Sequence, residues 1–438
     1  MSRAPKDWDP IAFLLSRIRA DPIPYAKRGQ DPQGTIRTLL NALGNPQEGG
    51  QYVQIVGSKG KGSTALMLET LLKAQGLRVG TFTSPHLTHW CERIRIDGEP
   101  IESDQFADIM WAIQTAVNTQ RSTHSVSNAG FFDILTAAAL IAFKQASADI
   151  AIMEAGLGGR LDATTVVTPK LTCITSIELE HTDKLGTTLA AIAGEKAAVI
   201  RPGVDVVVGR LPSKALEVVD RIAAERGASC HRLGREINCT AQPRGAFHQD
   251  LVIGFRDRST RTRLQIPGRY MADNAALALT AAWLVGAPEN AGNGDADPLC
   301  RMTLPGRLQR LRCSPLILVD AAHTGASAAQ LAVVLGQIQA HWLHLVLSFS
   351  AERNLDIVLR ALLPHADSVT VTQADRLRSL SADRVAAHIR RLEPELPTQV
   401  ERDPVLALRG TLDALPPRGV LCVAGSTYLA GVAQAALA

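Results

Sequence analysis

The sequence has no C-x-x-C pair, no run of five or more like charges and no stretch of about 18 apolar residues. Each absence removes a class of function. Without paired cysteines, the odd and scattered set Cys91, Cys173, Cys230, Cys239, Cys300, Cys313 and Cys422 fits neither a disulfide framework nor a zinc cage, and a reducing cytoplasm suits it best. A net charge of only +4 over 438 residues gives no nucleic-acid footprint and no polybasic membrane patch. The N-terminus carries Asp7 and Asp9 and lacks a continuous apolar core, so no signal peptide is expected. No internal repeat or low-complexity tract is found. What remains is 46% apolar and 20% charged residues, the balance of a soluble globular chain. At roughly 100 to 200 residues per domain it should form two or three domains. Small molecules are the expected partners, and a monomer is the expected state.

Apolar β-branched runs alternate with helical patterns: Tyr52 to Val56, a helix from Ser63 to Gln75 stopped by Gly76, then Arg78 to Thr83. The rhythm continues with a helix near Ile134 to Phe143, strands Asp149 to Met153 and Leu171 to Ile177, and a helix near Leu189 to Ile200. This βαβ order predicts a doubly wound, mostly parallel sheet. Beyond an apolar helix around Leu277 to Val285, the segment Gly286 to Pro298, rich in Gly, Pro, Asn and Asp, reads as a linker. Strands Leu316 to Val319, Leu343 to Leu347, Ser368 to Thr372 and Val420 to Ala424, with helices at Ala326 to Ile338 and Ile357 to Leu362, predict a smaller parallel α/β domain. The expected division is 1–295 and 296–438.

Between a predicted strand and helix stands Gly57-Ser58-Lys59-Gly60-Lys61-Gly62-Ser63. Such a loop turns backbone N–H groups onto phosphate oxygens, with Lys61 reaching a transferred phosphate and Ser63 a Mg²⁺ ion. Gly62 separates Lys61 from Ser63, so the strict phosphate-loop pattern is varied; the competing reading is a flexible turn that opens a helix. Glu154 follows a predicted strand, where α/β sheets bind ligands; a lone glutamate there is more often a solvated strand end, and the glycine-rich turn after it weighs against that reading. The next strand leads to Glu178, Glu180, His181 and Asp183 on the same rim. Ser63, Glu154 and His181 could share one Mg²⁺ ion, with His181 as ligand or surface residue.

Ten strings then occur in order: GSKGKGS (57–63), TSPHL (83–87), ERIRIDGEPI (92–101), EAGLGGRLDAT (154–164), TSIELEHTDKLG (175–186), GEKAAVIRPG (194–203), ADNAALAL (272–279), LPGRLQ (304–309), DAAH (320–323) and VAGSTYLAG (423–431). Together they resemble the folylpolyglutamate synthase and dihydrofolate synthase family of the Mur ligase superfamily. That resemblance implies an N-terminal phosphate-loop domain of Mur central type and a smaller Rossmann-like C-terminal domain that binds glutamate. It implies an ATP- and Mg²⁺-dependent ligase that adds L-glutamate to dihydropteroate or folate through an acyl phosphate. Gly57, Lys59, Gly60, Lys61, Gly62, Ser63, Asn274, Arg307 and Asp320 would then bind ATP, and Ser84, Glu154 and His181 would hold Mg²⁺. Lys196 would carry the family's carbamate, where the residues alone suggest a surface helix lysine paired with Glu195. Leu161, Asp162, Ala163 and Phe132 fall on the pterin side, and His323 and Ser426 on the glutamate side; Lys61, Lys196 and His323 are the catalytic candidates.

The chain departs from the family at several points. Lys59 replaces an asparagine, Thr324 an asparagine after DAAH, and Glu352 to Asp356 the family's D-K-D string. Pro24 to Gly29 and Gly130 before Phe131-Phe132 alter two further segments. Two other readings follow: a ligase of the same chemistry with another acid or amine, and a catalytically silent nucleotide-binding protein. Intact Lys61, Glu154, His181, Lys196 and Arg307 weigh against the second.

Overall fold

The computed structural model describes residues 3–18, 34–119, 128–286, 297–350, 355–375 and 379–437. Every residue of strand β1, Tyr52–Val56, is buried, which requires cover on both faces and a central place in a sheet. Its companions are β2 Val79–Phe82, β3 Ile94–Ile96, β4 Glu99–Pro100, β5 Ile150–Glu154, β6 Leu171–Ile174, β7 Asp205–Val208 and β8 Cys230–Arg232. They form an eight-stranded sheet in the order β4-β3-β2-β5-β1-β6-β7-β8. It is parallel from β2 to β8 in that order, and only β3 and β4 at one edge run antiparallel. The register pairs Ile55 with Glu154 and Val56 with Ile174, so β1, β5 and β6 deliver their following loops to one rim. Val53 and Ile55 pack in a core with Leu68 and Leu72 of the helix Lys61–Lys73 and Leu277 of the helix Arg269–Leu284. Tyr52 and Met153 face a second core with Ile134 and Leu140 of the helix Phe131–Gln145.

The sequence reading left out a three-stranded antiparallel sheet, β9 Ile237–Arg244, β10 His248–Phe255 and β11 Arg258–Leu264, in the order β11-β10-β9. Its signal is the period-two burial of Gln249, Leu251, Ile253 and Phe255. The strands of the second unit are β12 Gln309–Cys313, β13 Leu316–Val319, β14 Trp342–Leu347, β15 Ser368–Val371, β16 Thr398–Val400 and β17 Gly419–Ala424. Their order is β12-β13-β17-β14-β15-β16. The four expected strands of this sheet run parallel, and two further strands join its edges: β12, antiparallel with β13, and β16, parallel with β15. β17 is inserted between β13 and β14, which makes a switch point above their carboxyl ends, where α/β sheets place ligands.

Most of the expected linker, the boundary at 295 and 296, the segment Pro24 to Gly29 and residues Glu352 to Asn354 lie outside the described residues. Asp297, at the end of the linker, is described: Thr262 Oγ1 and the Arg263 N–H both bond its carboxylate, pinning it to β11. Among the described residues no helix is long and apolar enough to cross a membrane.

Two glycines should respond to alanine in opposite directions. A Cβ at Gly209, which follows β7, would collide with the backbone oxygen of Thr175, whereas one at Gly194 inside the helix Leu189–Ala197 meets nothing within 4 Å. Gly209→Ala is expected to cost about 1–3 kcal/mol through overpacking. Gly194→Ala should gain about 0.5–1 kcal/mol of helix stability. Denaturation midpoints of the two variants check the pair.

Candidate active site

The phosphate loop is held by the segment that follows β6. The N–H of Ser58 donates to Ser176 O at 2.8 Å and that of Lys59 to Ser176 Oγ at 2.8 Å. Lys59 O accepts the Thr175 hydroxyl at 2.6 Å, and Ser58 Oγ accepts the Glu178 N–H at 2.9 Å. Gly60 has φ of 84°, a left-handed conformation suited to glycine, and a Cβ there would strike Asn274 Oδ1. The close approach brings Asn274, from the helix Arg269–Leu284, onto the loop. That helix begins eight residues before the expected one, and the helix after the loop begins at Lys61 rather than Ser63. Lys61, Gly62 and Ser63 therefore occupy a first helical turn, where unpaired N–H groups favour anions.

Lys61 Nζ and Lys196 Nζ both donate to Gly57 O, at 3.0 and 2.9 Å. Lys196 is only 2% exposed, which corrects the reading of a surface lysine paired with Glu195. Glu195 instead accepts Arg160 at 2.7 and 3.0 Å. The partner of Lys196 is Glu180 Oε1 at 3.1 Å, and the other oxygen of Glu180 lies 4.0 Å from Lys59 Nζ. Burial and the nearby Lys61 charge depress the Lys196 amine to about 8, against the pull of Glu180. The sequence placed Glu180 on the rim without a role; its pairing depends on two segments 16 residues apart.

Glu154 is 3% exposed and its Oε2 accepts the Ser84 N–H at 2.9 Å. Burial raises its pKa, opposed by Lys61, the Ser84 N–H, Arg307 and Arg93. Arg307 belongs to the second unit, so charges from both units act on one carboxylate. Asp320 holds the Arg307 turn: its oxygens accept the N–H groups of Leu308 and Ala322, both at 2.7 Å. Burial raises the Asp320 pKa and Arg307 opposes the rise. The buried Glu154 carboxylate, held by the N–H of a serine, is a hard oxygen donor of the kind Mg²⁺ takes with water. His181 stands exposed at the rim with φ of 45°. Among the described residues no three His, Cys, Asp or Glu side chains form a metal cage by themselves.

On the expected pterin side, Leu161 and Ala163 are buried in two different cores. The Asp162 carboxylate is occupied within its own loop by the N–H groups of Gly156, Leu157 and Thr164 and the Thr164 hydroxyl. It shapes the glycine-rich turn. Phe132 packs on Phe82 at 5.6 Å between ring centroids, and Gly156 is small because a Cβ there would press on the Phe132 ring. Beside them Arg93 lies 5.3 Å from the Trp90 ring and 5.7 Å from the Phe131 ring, and its Nε donates to His86 Nδ1 at 2.9 Å. Burial and the Arg93 charge lower His86 to about 4, leaving it neutral. The sequence reading passed over this cluster, although the strings 83–87 and 92–101 contain His86 and Arg93.

In the second unit a pocket open to solvent is lined by His323, Phe349, Leu355, Ser426 and Tyr428 among others. His323 and Ser426, selected together from sequence, meet here. His323 Nδ1 lies 2.8 Å from Ala321 O, which makes that nitrogen the N–H donor. Ser426 Oγ accepts the Leu429 N–H at 3.1 Å and caps the helix Thr427–Leu437. Thr324 caps the helix Gly325–Gln337 through the Ser327 N–H at 3.3 Å. Of the altered segment that follows, Leu355 lines the pocket and Asp356 pairs with Arg391 at 3.0 Å.

The Mur ligase middle domain matches residues 55–282, and the Mur ligase glutamate ligase domain matches 306–427. The dihydrofolate synthase/folylpolyglutamate synthase of Mycobacterium tuberculosis is 35% identical over 397 residues, covering 86% of this chain and 82% of its own length. The Escherichia coli protein of the same description is 35% identical over 332 residues, 76% of this chain and 74% of its own. The crystal structure of the Mycobacterium tuberculosis folylpolyglutamate synthase complexed with ADP and AMPPCP superposes with a TM-score of 0.82 at 32% identity, over 98% of both chains.

The state of Lys196 is open to a stability measurement. Its folded pKa of about 8 lies below the ordinary 10.5, so between these values the unfolded chain binds more protons and stability rises with pH. Below about 8 the penalty is constant. Wild type relative to Lys196→Met should gain roughly 3 kcal/mol across that window. Parallel curves for the two proteins from pH 8 to 10.5 would rule out a buried, depressed amine.

Proposed function

Since this chain belongs to the folylpolyglutamate synthase and dihydrofolate synthase family of Mur ligases, we propose that it joins L-glutamate to dihydropteroate and to folates at the expense of ATP. It is an ATP-dependent ligase. The observation that carries the two-step ligation is the convergence of Lys61, Lys196 and the second unit's Arg307 around the phosphate loop and Glu154, with the His323 and Ser426 pocket as a separate compartment for the amine; the choice of acid follows the family.

A carboxylate cannot lose oxygen to an amine unless that oxygen is first made a leaving group. The acid's carboxylate oxygen attacks the γ-phosphorus of ATP and ADP departs, giving an acyl phosphate. Lys61 and Arg307 offset the charge on the transferring phosphoryl group, which needs positioning more than covalent help. Gly57 to Ser63, Lys59 among them, and Asn274 bind the nucleotide, and Asp320 holds the arginine. Mg²⁺, held by Ser84, Glu154 and His181, would neutralise phosphate charge. The unprotonated Lys196 amine can add CO₂, releasing a proton and becoming a carbamate anion that serves the same cluster. L-Glutamate, bound by His323 and Ser426, attacks the acyl carbon with its amine; phosphate leaves and the amide remains. Phe132 and the loop through Leu161, Asp162 and Ala163 shape the acid's site. We read the active unit as a cytoplasmic monomer: both compartments come from one chain, and all seven cysteines are free.

Purified protein with ATP, Mg²⁺, L-glutamate and each acceptor tests the reading by mass spectrometry of the product. A glutamyl adduct of dihydropteroate or of a reduced folate is expected; no adduct with any acceptor would overturn it. In the same assay His323→Ala should raise the glutamate requirement about ten- to a hundredfold, the cost of one lost polar contact of about 1–3 kcal/mol, and leave the ATP requirement near that of wild type. Loss of ATP binding with an unchanged glutamate requirement would reverse the division of labour between the two units.

A further inference from the structure

One short loop, between β2 and the turn Trp90–Arg93, touches both halves of the site. At its start the Ser84 N–H holds Glu154 Oε2 at 2.9 Å. Three residues later Leu87 enters a socket of the second unit. Its two Cδ atoms lie 3.2 and 3.3 Å from the place a Cβ of Gly306 would take, and Ala430 Cβ lies 3.6 Å from that place. A Cβ at Gly431 would collide with the Leu87 carbonyl oxygen. Leu87 packs against the second unit's core of Ile317, Val319, Leu429 and Ala430. Both socket glycines adjoin functional positions: Gly306 precedes Arg307, and Gly431 lies on the helix Thr427–Leu437, whose first turn lines the pocket with Thr427 and Tyr428.

Both flanks of the loop are tied to the turn Trp90–Arg93. Glu92 accepts the N–H groups of Leu87, Thr88 and His89 at 2.7, 2.9 and 2.7 Å, together with the Thr88 hydroxyl. Thr83 N–H donates to Arg93 O at 2.9 Å. Burial would raise the Glu92 carboxyl, but these donors hold it below its ordinary value, so the clamp is charged at neutral pH. Leu87 and Thr83, the residue before Ser84, are thereby tied to adjacent residues of one turn, Glu92 and Arg93.

We propose that Leu87 is a positioning residue whose seat between Gly306 and Gly431 couples the amine-side pocket to the orientation of Glu154 on the phosphate side. Leu87 touches neither reacting group; its effect passes through Ser84 and through the helix that begins at Thr427. Activation of the acid and readiness of the amine pocket then occur as one event, and the acyl phosphate forms where an amine can meet it. The inference rests on the ligase reading above.

The test uses the full-length enzyme and measures phosphate released per glutamate incorporated in wild type, Leu87→Ala and Leu87→Met, with AMPPCP affinity and the thermal midpoint alongside. In Leu87→Ala ligation should fall on the order of 10- to 100-fold, with more than one phosphate lost per amide and AMPPCP affinity near that of wild type. Leu87→Met refills the socket and should restore the one-to-one ratio. If Leu87→Ala does not fold, Leu87→Val, a smaller truncation, is read in the same way. A truncated variant that keeps one phosphate per glutamate, whatever its stability, overturns the proposal. A wild-type enzyme that forms no amide with any acceptor is a different result and fails the ligase reading itself.

Discussion

Two ammonium groups meet at one carbonyl oxygen: Lys61 and Lys196 both donate to Gly57 O. Like charges at this separation repel strongly in a partly buried setting. The pairing persists because Glu180 lies against Lys196, and because the Lys196 amine, only 2% exposed, gives up its proton more readily than an ordinary lysine. Most of the neighbouring construction serves this meeting point. Thr175 and Ser176 brace the loop, Asn274 seals Gly60, and Glu154 lies 3.4 Å from the place a Cβ of Gly62 would take. Cations held on backbone oxygen beside a first helical turn form a site poised for a polyanion.

The parts of this site legible in the sequence are those that local rules control. A buried strand, a glycine loop and a helix follow one another within residues 52 to 73, so composition and order are enough to find them. Glu154 was visible because it ends a strand, and the register confirms its place opposite Ile55. What local rules could not reach were partners chosen across the fold. Lys196 looked like half of an adjacent pair with Glu195, yet Arg160 takes Glu195 and the helix turns Lys196 inward to Glu180. The antiparallel sheet β9 to β11 escapes for another reason: its strands hold few long apolar runs, and the marks it leaves are the buried alternation along β10 and that of Thr260, Thr262 and Leu264 between exposed residues of β11.

The departures from the family string become clearer in the same terms. Thr324, where an asparagine is usual, caps a helix through the Ser327 N–H, a task that threonine performs nearly as well. Asp356, from the altered segment, is drawn outward to Arg391, while its neighbour Leu355 turns to the pocket. These replacements are met by local structure near the amine compartment and leave the phosphate side intact. The chain's own addition, Lys59, is balanced by Glu180 at 4.0 Å, so a further cation enters the loop together with an anion to hold it.

Dividing the site between two units solves a problem of charge and of water. Activation needs cations gathered tightly around phosphate; the attacking amine must be unprotonated and is better bound apart from that field. Arg307, from the second unit, acts on Glu154, and Asp320 fixes its turn through two backbone N–H groups. Arg307 thereby belongs to the small unit by sequence and to the phosphate site by position. Water would compete for an acyl phosphate wherever the two compartments were open to solvent at the moment of transfer. A site whose last phosphate-side charge arrives with the amine-side unit has its activating charges complete only when both units are together, and that is also the arrangement best able to exclude water.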